Sequence, residues 1–577
     1  MRTLFLVKNI QEAQKALVNF DKKLDKIIAF NLEVEFYLKS KITSYNNPLY
    51  KFLDVKGITC NYNFLLPNFE VAYKFAKDEN LVGLRDRLGY FFSEFDRSYL
   101  FATRVIDKLK PKEVFMGTLI DFPGSSVING SLKIHAFDVV LRERGIAKKT
   151  LMVDFKKKSL RQVVGRFLNR ISLIKKTTAY GSYDLVILAP PRHVLQLKSL
   201  IDSLRKLRYK ILILTYTVSP TNRSKLKKHI GEYFEKERFL SRTLDFKSTD
   251  VVKKIIKARP WDNFFYTKYS RNTEVMKFLK WKIKKVISSE LLENIKDEFI
   301  AGSFFDHVYS RVLLTTTDPD SKVIHFIESA KKNKVRTIAL QHGILWNPAP
   351  PSVAPISDLF VAWSTISKHW VKKIKSFQSV RVLIGQYPFH LELKKIRSVK
   401  KTNKIRILYL VTIVILDLDM VAYYRKKLFA IFEQIKNAEI TVRIHPFQEK
   451  VNLAAIINNF KGRAEFDKNE NLFQSIADSD IVIYEETTAG FNAMLARKPT
   501  IFFNPFSGED YFNAKTMDYS MSILSELDIE KSLEYFVKSP KWDYYSRRGR
   551  KFALKYLGIQ NSNLKSLTKV LVSELER

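Results

Sequence analysis

At 577 residues the chain has room for about three folded units of ~100 to 200 residues each. Its composition, 46% hydrophobic, 13% aromatic and 27% charged, is that of a globular protein and excludes a disordered, collagenous or membrane-spanning one. Lys and Arg outnumber Asp and Glu by 99 to 59, a net charge of +40, and residues 142–259 alone hold 30 basic against 9 acidic residues, which points to a polyanion or an anionic surface as a partner.

The single cysteine, Cys60, allows neither an internal disulfide nor a cysteine-based zinc site, and a reducing, intracellular setting fits. The apolar run at the N-terminus stops at Lys8, too short for a signal peptide. The longest apolar stretch, Ile407 to Leu416, is ten residues against the ~20 of a membrane helix. Short apolar runs that read as strands begin at Thr3, Lys26, Glu113 and Thr150 in the first third of the chain. They continue at Leu185, Ile211, Val312, Thr337, Leu359 and Val380, and then at Ile405, Ile440, Ile481 and Thr500. Such runs alternating with helical stretches predict parallel sheets covered by helices, an α/β class with doubly wound, Rossmann-type units. Basic segments at 156–176 and 394–404 mark the boundaries, giving an N-terminal α/β accessory region (1–180) and two Rossmann-like domains (181–395 and 396–577).

Four strand ends carry the chemistry. Arg336 to Leu340 runs into Gln341, His342 and Gly343; a histidine at the carboxyl end of a parallel strand faces the ligand crevice, binds phosphate or moves a proton, and Gly343 permits close backbone approach. A turn histidine held by hydrogen bonds is the structural alternative. Thr441 to Ile444 runs into His445 and Pro446, with Arg443 on one face of the strand and the proline ending the pairing. Asp480 to Tyr484 runs into Glu485, Glu486, Thr487, Thr488, Ala489, Gly490, Phe491 and Asn492. There either threonine caps a helix whose amides and hydroxyls suit a phosphate, and Gly490 lets it come close. Ordinary capping would explain the threonines but not the paired glutamates. Asp318 and His193, each after a strand of the middle domain, are further candidates for a general base, and Asp318 before Pro319 equally starts a turn. No Walker A loop, strand-turn-helix GxGxxG or RNA-binding aromatic platform is present.

In this order the motifs resemble nucleotide-sugar-dependent glycosyltransferases of the GT-B type, above all bacterial capsule and surface-polysaccharide enzymes. The stretches that carry the likeness are Gln341-His342-Gly343 with the strands at Leu359 and Val382, Arg443-Ile444-His445-Pro446, and Glu485 to Phe491 continuing to Lys498-Pro499-Thr500-Ile501. They fall within residues 183–577. A His-Pro motif with a hydroxyl pair is similar to transferases that use CMP-activated sialic acid or Kdo and to CDP-glycerol polymerases. By that resemblance His445 holds the donor phosphate or stabilises its departure, and Thr487 and Thr488 bind phosphate oxygens. Many GT-B enzymes place a ribose-binding glutamate where this chain has Asn492. No metal or other cofactor is implied beyond a CMP- or UDP-linked sugar donor. The acceptor hydroxyl needs a base from the opposite domain, for which His342, Asp318 and His193 are the candidates.

The expected activity is therefore transfer of a sugar from a nucleotide donor to a surface polysaccharide or lipid-linked glycan. The expected location is cytoplasmic and peripheral, at the inner membrane face, where anionic headgroups attract clustered Lys and Arg. A CDP-polyol phosphotransferase or a sugar-nucleotide epimerase of the same fold is the alternative. Nucleic acid is an unlikely partner, because its binding gives no reason for the His-Pro and Thr-Thr loops to end consecutive strands. No oligomeric state follows from these residues.

Overall fold

The apolar runs become strands, except that the fourth has other bounds and 152–155 lie outside the described residues, and the strands assemble into three separate parallel sheets. The computed structural model describes residues 2–30, 32–46, 85–117, 131–151, 181–216, 220–235, 272–316, 321–343, 345, 356–373, 380–385, 387, 404–412, 418–435, 437–445, 451–460, 463–469, 471–510, 512–538, 542–559 and 567–577. The first sheet contains β1 (Thr3–Val7), β2 (Lys26–Ala29), β3 (Glu113–Gly117) and β4 (Ala147–Leu151), in the order β2-β1-β3-β4. The second contains β5 (Gly181–Leu188), β6 (Ile211–Thr215), β7 (Phe234–Glu235), β8 (Val308–Thr315), β9 (Arg336–Leu340), β10 (Leu359–Ala362) and β11 (Arg381–Ile384). Its order is β11-β10-β9-β8-β5-β6-β7. The third contains β12 (Ile405–Val411), β13 (Ala438–Ile444), β14 (Arg463–Phe466), β15 (Ile481–Tyr484), β16 (Thr500–Phe503) and β17 (Met521–Ile523), in the order β14-β13-β12-β15-β16-β17. Central strands such as β15 are buried along their whole length, as a sheet covered on both faces requires.

The order of each large sheet reverses once. In the second sheet the chain winds outward from β5 through β6 to β7 and then restarts on the other side of β5 with β8. The third sheet does the same around β12, with β13 and β14 on one side and β15 on the other. Ligand crevices in open parallel sheets form outside the carboxyl ends of the strands at such reversals. The small first sheet reverses between β1 and β3, but there the side chain of Glu12 fills the space: a Cβ on Gly117, the last residue of β3, would fall on its carboxylate. That carboxylate is fully buried and accepts from the Lys8 backbone N–H at 2.8 Å, and burial raises its pKa.

The first unit packs on the third. Leu4, Leu6 and Ile28 share one apolar cluster with Ile407, Tyr409 and Ile483, and Lys426 Nζ meets Glu35 at 2.6 Å across the contact. The second and third units meet through a cluster that joins Phe360, Trp363 and Val382 to Val482, Phe491 and Tyr556. Two expectations change. The division at 395 does not hold for the last helix, because Leu567–Leu575 returns to the second unit and buries Leu567, Val570 and Leu571 with Leu185, Val312 and Val361. The fourth strand lies at 147–151 instead of beginning at Thr150, since Ala147 to Thr150 pair with β3 although they are exposed. Among the described residues no helix is long and apolar enough to cross a membrane.

Candidate functional site

Both reversals open on one cleft between the second and third sheets, of about 860 Å3. From the second unit, His193 follows β5, Thr316 follows β8, and Gln341, His342 and Gly343 follow β9; from the third, Thr412 follows β12, His445 follows β13, and Glu486, Thr487, Thr488 and Asn492 follow β15. None of the described cleft-lining residues comes from the first unit.

On the wall of the second unit two imidazoles lie together. The rings of His193 and His342 are 3.8 Å apart, centroid to centroid, and tilted by 37°. His193 Nδ1 is 2.8 Å from Thr316 Oγ1, and its Nε2 is 3.4 Å from Arg192 Nη2. A guanidinium only donates, so Nε2 is the acceptor and Nδ1 carries the proton that Thr316 receives. Burial, with the charges of His342 and Arg192, holds His193 at about 2. His342 shows its ring to the open cleft while both units close around it, and that enclosure, with Arg192 and His445, holds it at about 3. His445, on the opposite wall, is held at about 4 by burial and Arg192. All three imidazoles are therefore neutral at pH 7.

Gln341 lines the cleft, as expected, with its side-chain amide engaged. It is buried, donates from Nε2 to the Gly343 carbonyl at 3.0 Å and accepts at Oε1 from the Trp363 N–H at 2.9 Å. It thus ties the end of β9 to that of β10 and sets the turn that displays His342. Gly343 takes φ +77°, and a Cβ there would stand 3.5 Å from Thr488 Oγ1 of the opposite unit; a side chain would be strained by that φ and would enter the gap between the two walls.

The third unit divides its adjacent glutamates. Glu485 is fully buried. Arg425 donates to it from Nε and Nη2, both at 2.7 Å, the Tyr409 hydroxyl at 2.5 Å and the Thr412 N–H at 2.9 Å. The expectation that Glu485 binds the donor is corrected: its oxygens are engaged beneath the loop, where they fix Thr412 and the end of β15. Glu486 lines the cleft, and burial with the neighbouring charge of Glu485 raises it to about 8. Thr488 is the N-cap of a seven-residue helix, Ala489–Leu495, without a side-chain capping bond, and Thr487 Oγ1 instead accepts from the Ala489 N–H at 3.3 Å. The Thr488 hydroxyl is left to the cleft. Asn492 is buried at its wall, its Oδ1 accepting from the Tyr387 hydroxyl at 3.2 Å.

Two more expectations shift. Gly490 does not make room for a phosphate; a Cβ there would collide with the Tyr484 ring, so packing of helix on strand demands the glycine. Arg443 reaches the cleft rim, but its Nη1 is held by Asp467, by the Asn469 carbonyl at 2.9 Å and by Ser475 Oγ at 3.2 Å. Asp318 lies outside the described residues. Sequence reasoning quoted the strand-end stretches that contain Arg192 and Thr316 but singled out only His193 and Asp318 from them, and it passed over Thr412, although each occupies or follows a strand end at a reversal, which is the signal that would have found them. No group of three or more metal-ligating side chains occurs among the described residues.

No protein-family model matches the chain, and no curated protein matches it. Among solved structures it is similar to the UDP-GlcNAc 2-epimerase from Neisseria meningitidis bound to UDP-GlcNAc, with 10% identity over 69% of this chain and 100% of that one and a TM-score of 0.42. It is also similar to the spinosyn rhamnosyltransferase SpnG (12% identity, 68% and 100% covered, TM-score 0.36) and to MurG of Acinetobacter baumannii (8%, 65% and 99%, 0.35). Likenesses this distant carry no functional information, and the chemistry rests on the cleft itself.

Proposed function

We propose that the protein is a nucleotide-sugar-dependent glycosyltransferase that uses the cleft between its second and third sheets. The observation that carries this reading is that two chain reversals, one in each sheet, open on the same cleft and line it with neutral histidines on one wall and threonine hydroxyls with His445 on the other. In this reading the third unit holds a CMP- or UDP-linked sugar. Thr487, Thr488 and His445 stand at the phosphate, and Asn492 stands further along the same wall. The acceptor hydroxyl lies against the second unit, and His342 accepts its proton as the oxygen attacks the anomeric carbon. The bond from that carbon to the phosphate oxygen breaks, its electron pair goes to the oxygen, and hydrogen-bond donors placed there stabilise the new charge. His193, locked by Thr316 and Arg192, packs against His342 and fixes its ring.

A surface polysaccharide or lipid-linked glycan at an anionic membrane face is the acceptor most consistent with the +40 charge. The first test is a thermal-shift panel with CMP, CDP, UDP, GDP and ADP, in which a ligand at 100 times its Kd stabilises by ~2.7 kcal/mol. A cytidine- or uridine-selective shift is expected, and its absence for every nucleotide would remove the donor reading. Conversion of a nucleotide sugar without any acceptor would assign an epimerase instead, and a phosphate carried into the product would assign a polyol phosphotransferase. Binding to anionic but not neutral vesicles is the expected membrane behaviour.

A further inference from the structure

The wall of the cleft that belongs to the second unit carries basic side chains. Among the described residues it presents Arg192, Lys198 and Lys225 and no Asp or Glu. Lys198 is paired with Asp202 on its own helix, Lys198–Lys206. Lys225 stands on the helix Pro220–His229 and lines the cleft. Arg192 is half-buried, and its side-chain contact among the described residues is with His193, not with a carboxylate. Burying a guanidinium without a counter-ion is costly, and its pKa is accordingly lowered. Arg192 lines the cleft, and its charge reaches His193 and His342 on its own wall and His445 on the other. The third unit shows the opposite habit: its cleft arginine, Arg443, is neutralised by Asp467.

An arginine that meets no carboxylate among the described residues, beside the candidate base and continued by two lysines on helices that follow β5 and β6, suits an anion that arrives with the substrate. Resting on the reading of the cleft as a nucleotide-sugar site, we infer that the acceptor is anionic: Arg192, Lys198 and Lys225 hold a phosphate or carboxylate group of the acceptor beside the hydroxyl that His342 deprotonates. The donor phosphate has its own partners on the opposite unit, so two anions occupy the cleft together, one on each wall.

The test uses the full chain with inorganic phosphate and pyrophosphate as probes, titrated calorimetrically at constant ionic strength in chloride. Each titration is run with and without a saturating concentration of the nucleotide that gives the largest thermal shift. The expected result is that phosphate or pyrophosphate still binds when nucleotide is bound. Arg192→Gln combined with Lys225→Gln weakens that binding about tenfold, as loss of a charge-assisted contact implies, and leaves nucleotide affinity within about twofold; Arg192→Lys recovers part of the loss. Unchanged phosphate affinity in the double variant, with nucleotide binding retained as proof of folding, would overturn the inference. So would displacement of phosphate by nucleotide, which would make Arg192 part of the donor's own phosphate subsite. Failure of every nucleotide to bind, with phosphate binding still dependent on Arg192, would remove the donor reading and leave the anion subsite standing.

Discussion

The imidazoles of His193 and His342 meet at 3.8 Å although 149 positions separate them in the chain. They are brought together because β5, β8 and β9 are neighbours in the sheet and each ends at the same crevice. His342 presents its ring to the cleft, whereas both nitrogens of His193 are engaged. Replacing His342 by Gln should therefore lower turnover ~10²- to 10⁴-fold, the range for loss of a general base, with little change in the melting temperature. Replacing His193 should act more weakly on turnover and also lower stability, measured by kinetics and melting on the same preparations.

The three depressed histidines set an acid limit on stability. Each is neutral in the fold down to about 2, 3 or 4, while in the unfolded chain each takes up a proton near 6.5. Below that value the unfolded state binds more protons, so stability falls as pH drops from 6.5 towards 4. The expected outcome is a melting temperature that declines over this window and a shallower decline in a His342→Gln, His445→Gln double variant.

Glu486 acts in the opposite sense. Its carboxyl is raised to about 8 by burial and by Glu485, so between 4.5 and 8 the folded chain binds the extra proton and stability falls as pH rises. Glu486→Gln should match the wild type near pH 5 and exceed it in melting temperature above pH 8. A lower melting temperature for the variant at pH 8 or above would contradict the raised carboxyl.

Glu485 is where reading the chain alone went astray. The two glutamates follow β15 in a bend, and only the surrounding sheet decides which of them is buried. Its partner Arg425 lies on the helix Leu418–Phe432, 60 residues away, which no local pattern reports. Glu485→Ala would leave Arg425 buried without a counter-charge and should cost ~3 to 5 kcal/mol in urea unfolding. Removing both members, with Arg425→Met, should restore part of that loss.

What was legible was whatever depends on period and polarity: the central strands, their parallel arrangement, and the histidines and threonines at their ends. The edge strands β2 and β11 were legible too, but β7, β14 and β17 were not. β14 (Arg463 to Phe466) is nowhere fully buried and β7 has two residues, so neither carries an apolar run. Gly490 illustrates a second limit, since a glycine after a strand reads the same whether it admits a ligand or a neighbouring ring. Gly490→Ala should destabilise by ~1 to 3 kcal/mol through overpacking, and Tyr484→Leu in the same chain should relieve it, a coupling that a double-mutant cycle measures.

The return of the helix Leu567–Leu575 to the second unit sets an order of assembly. The strands β5, β8 and β10 leave the ribosome before any residue of the third sheet, yet the helix that covers part of them is made only after that whole sheet. Until the last helix is made, the apolar surface of the second unit that it covers has no such cover. The cleft between them closes only when both ends of this loop of chain have been joined, so neither wall of the site is finished without the other.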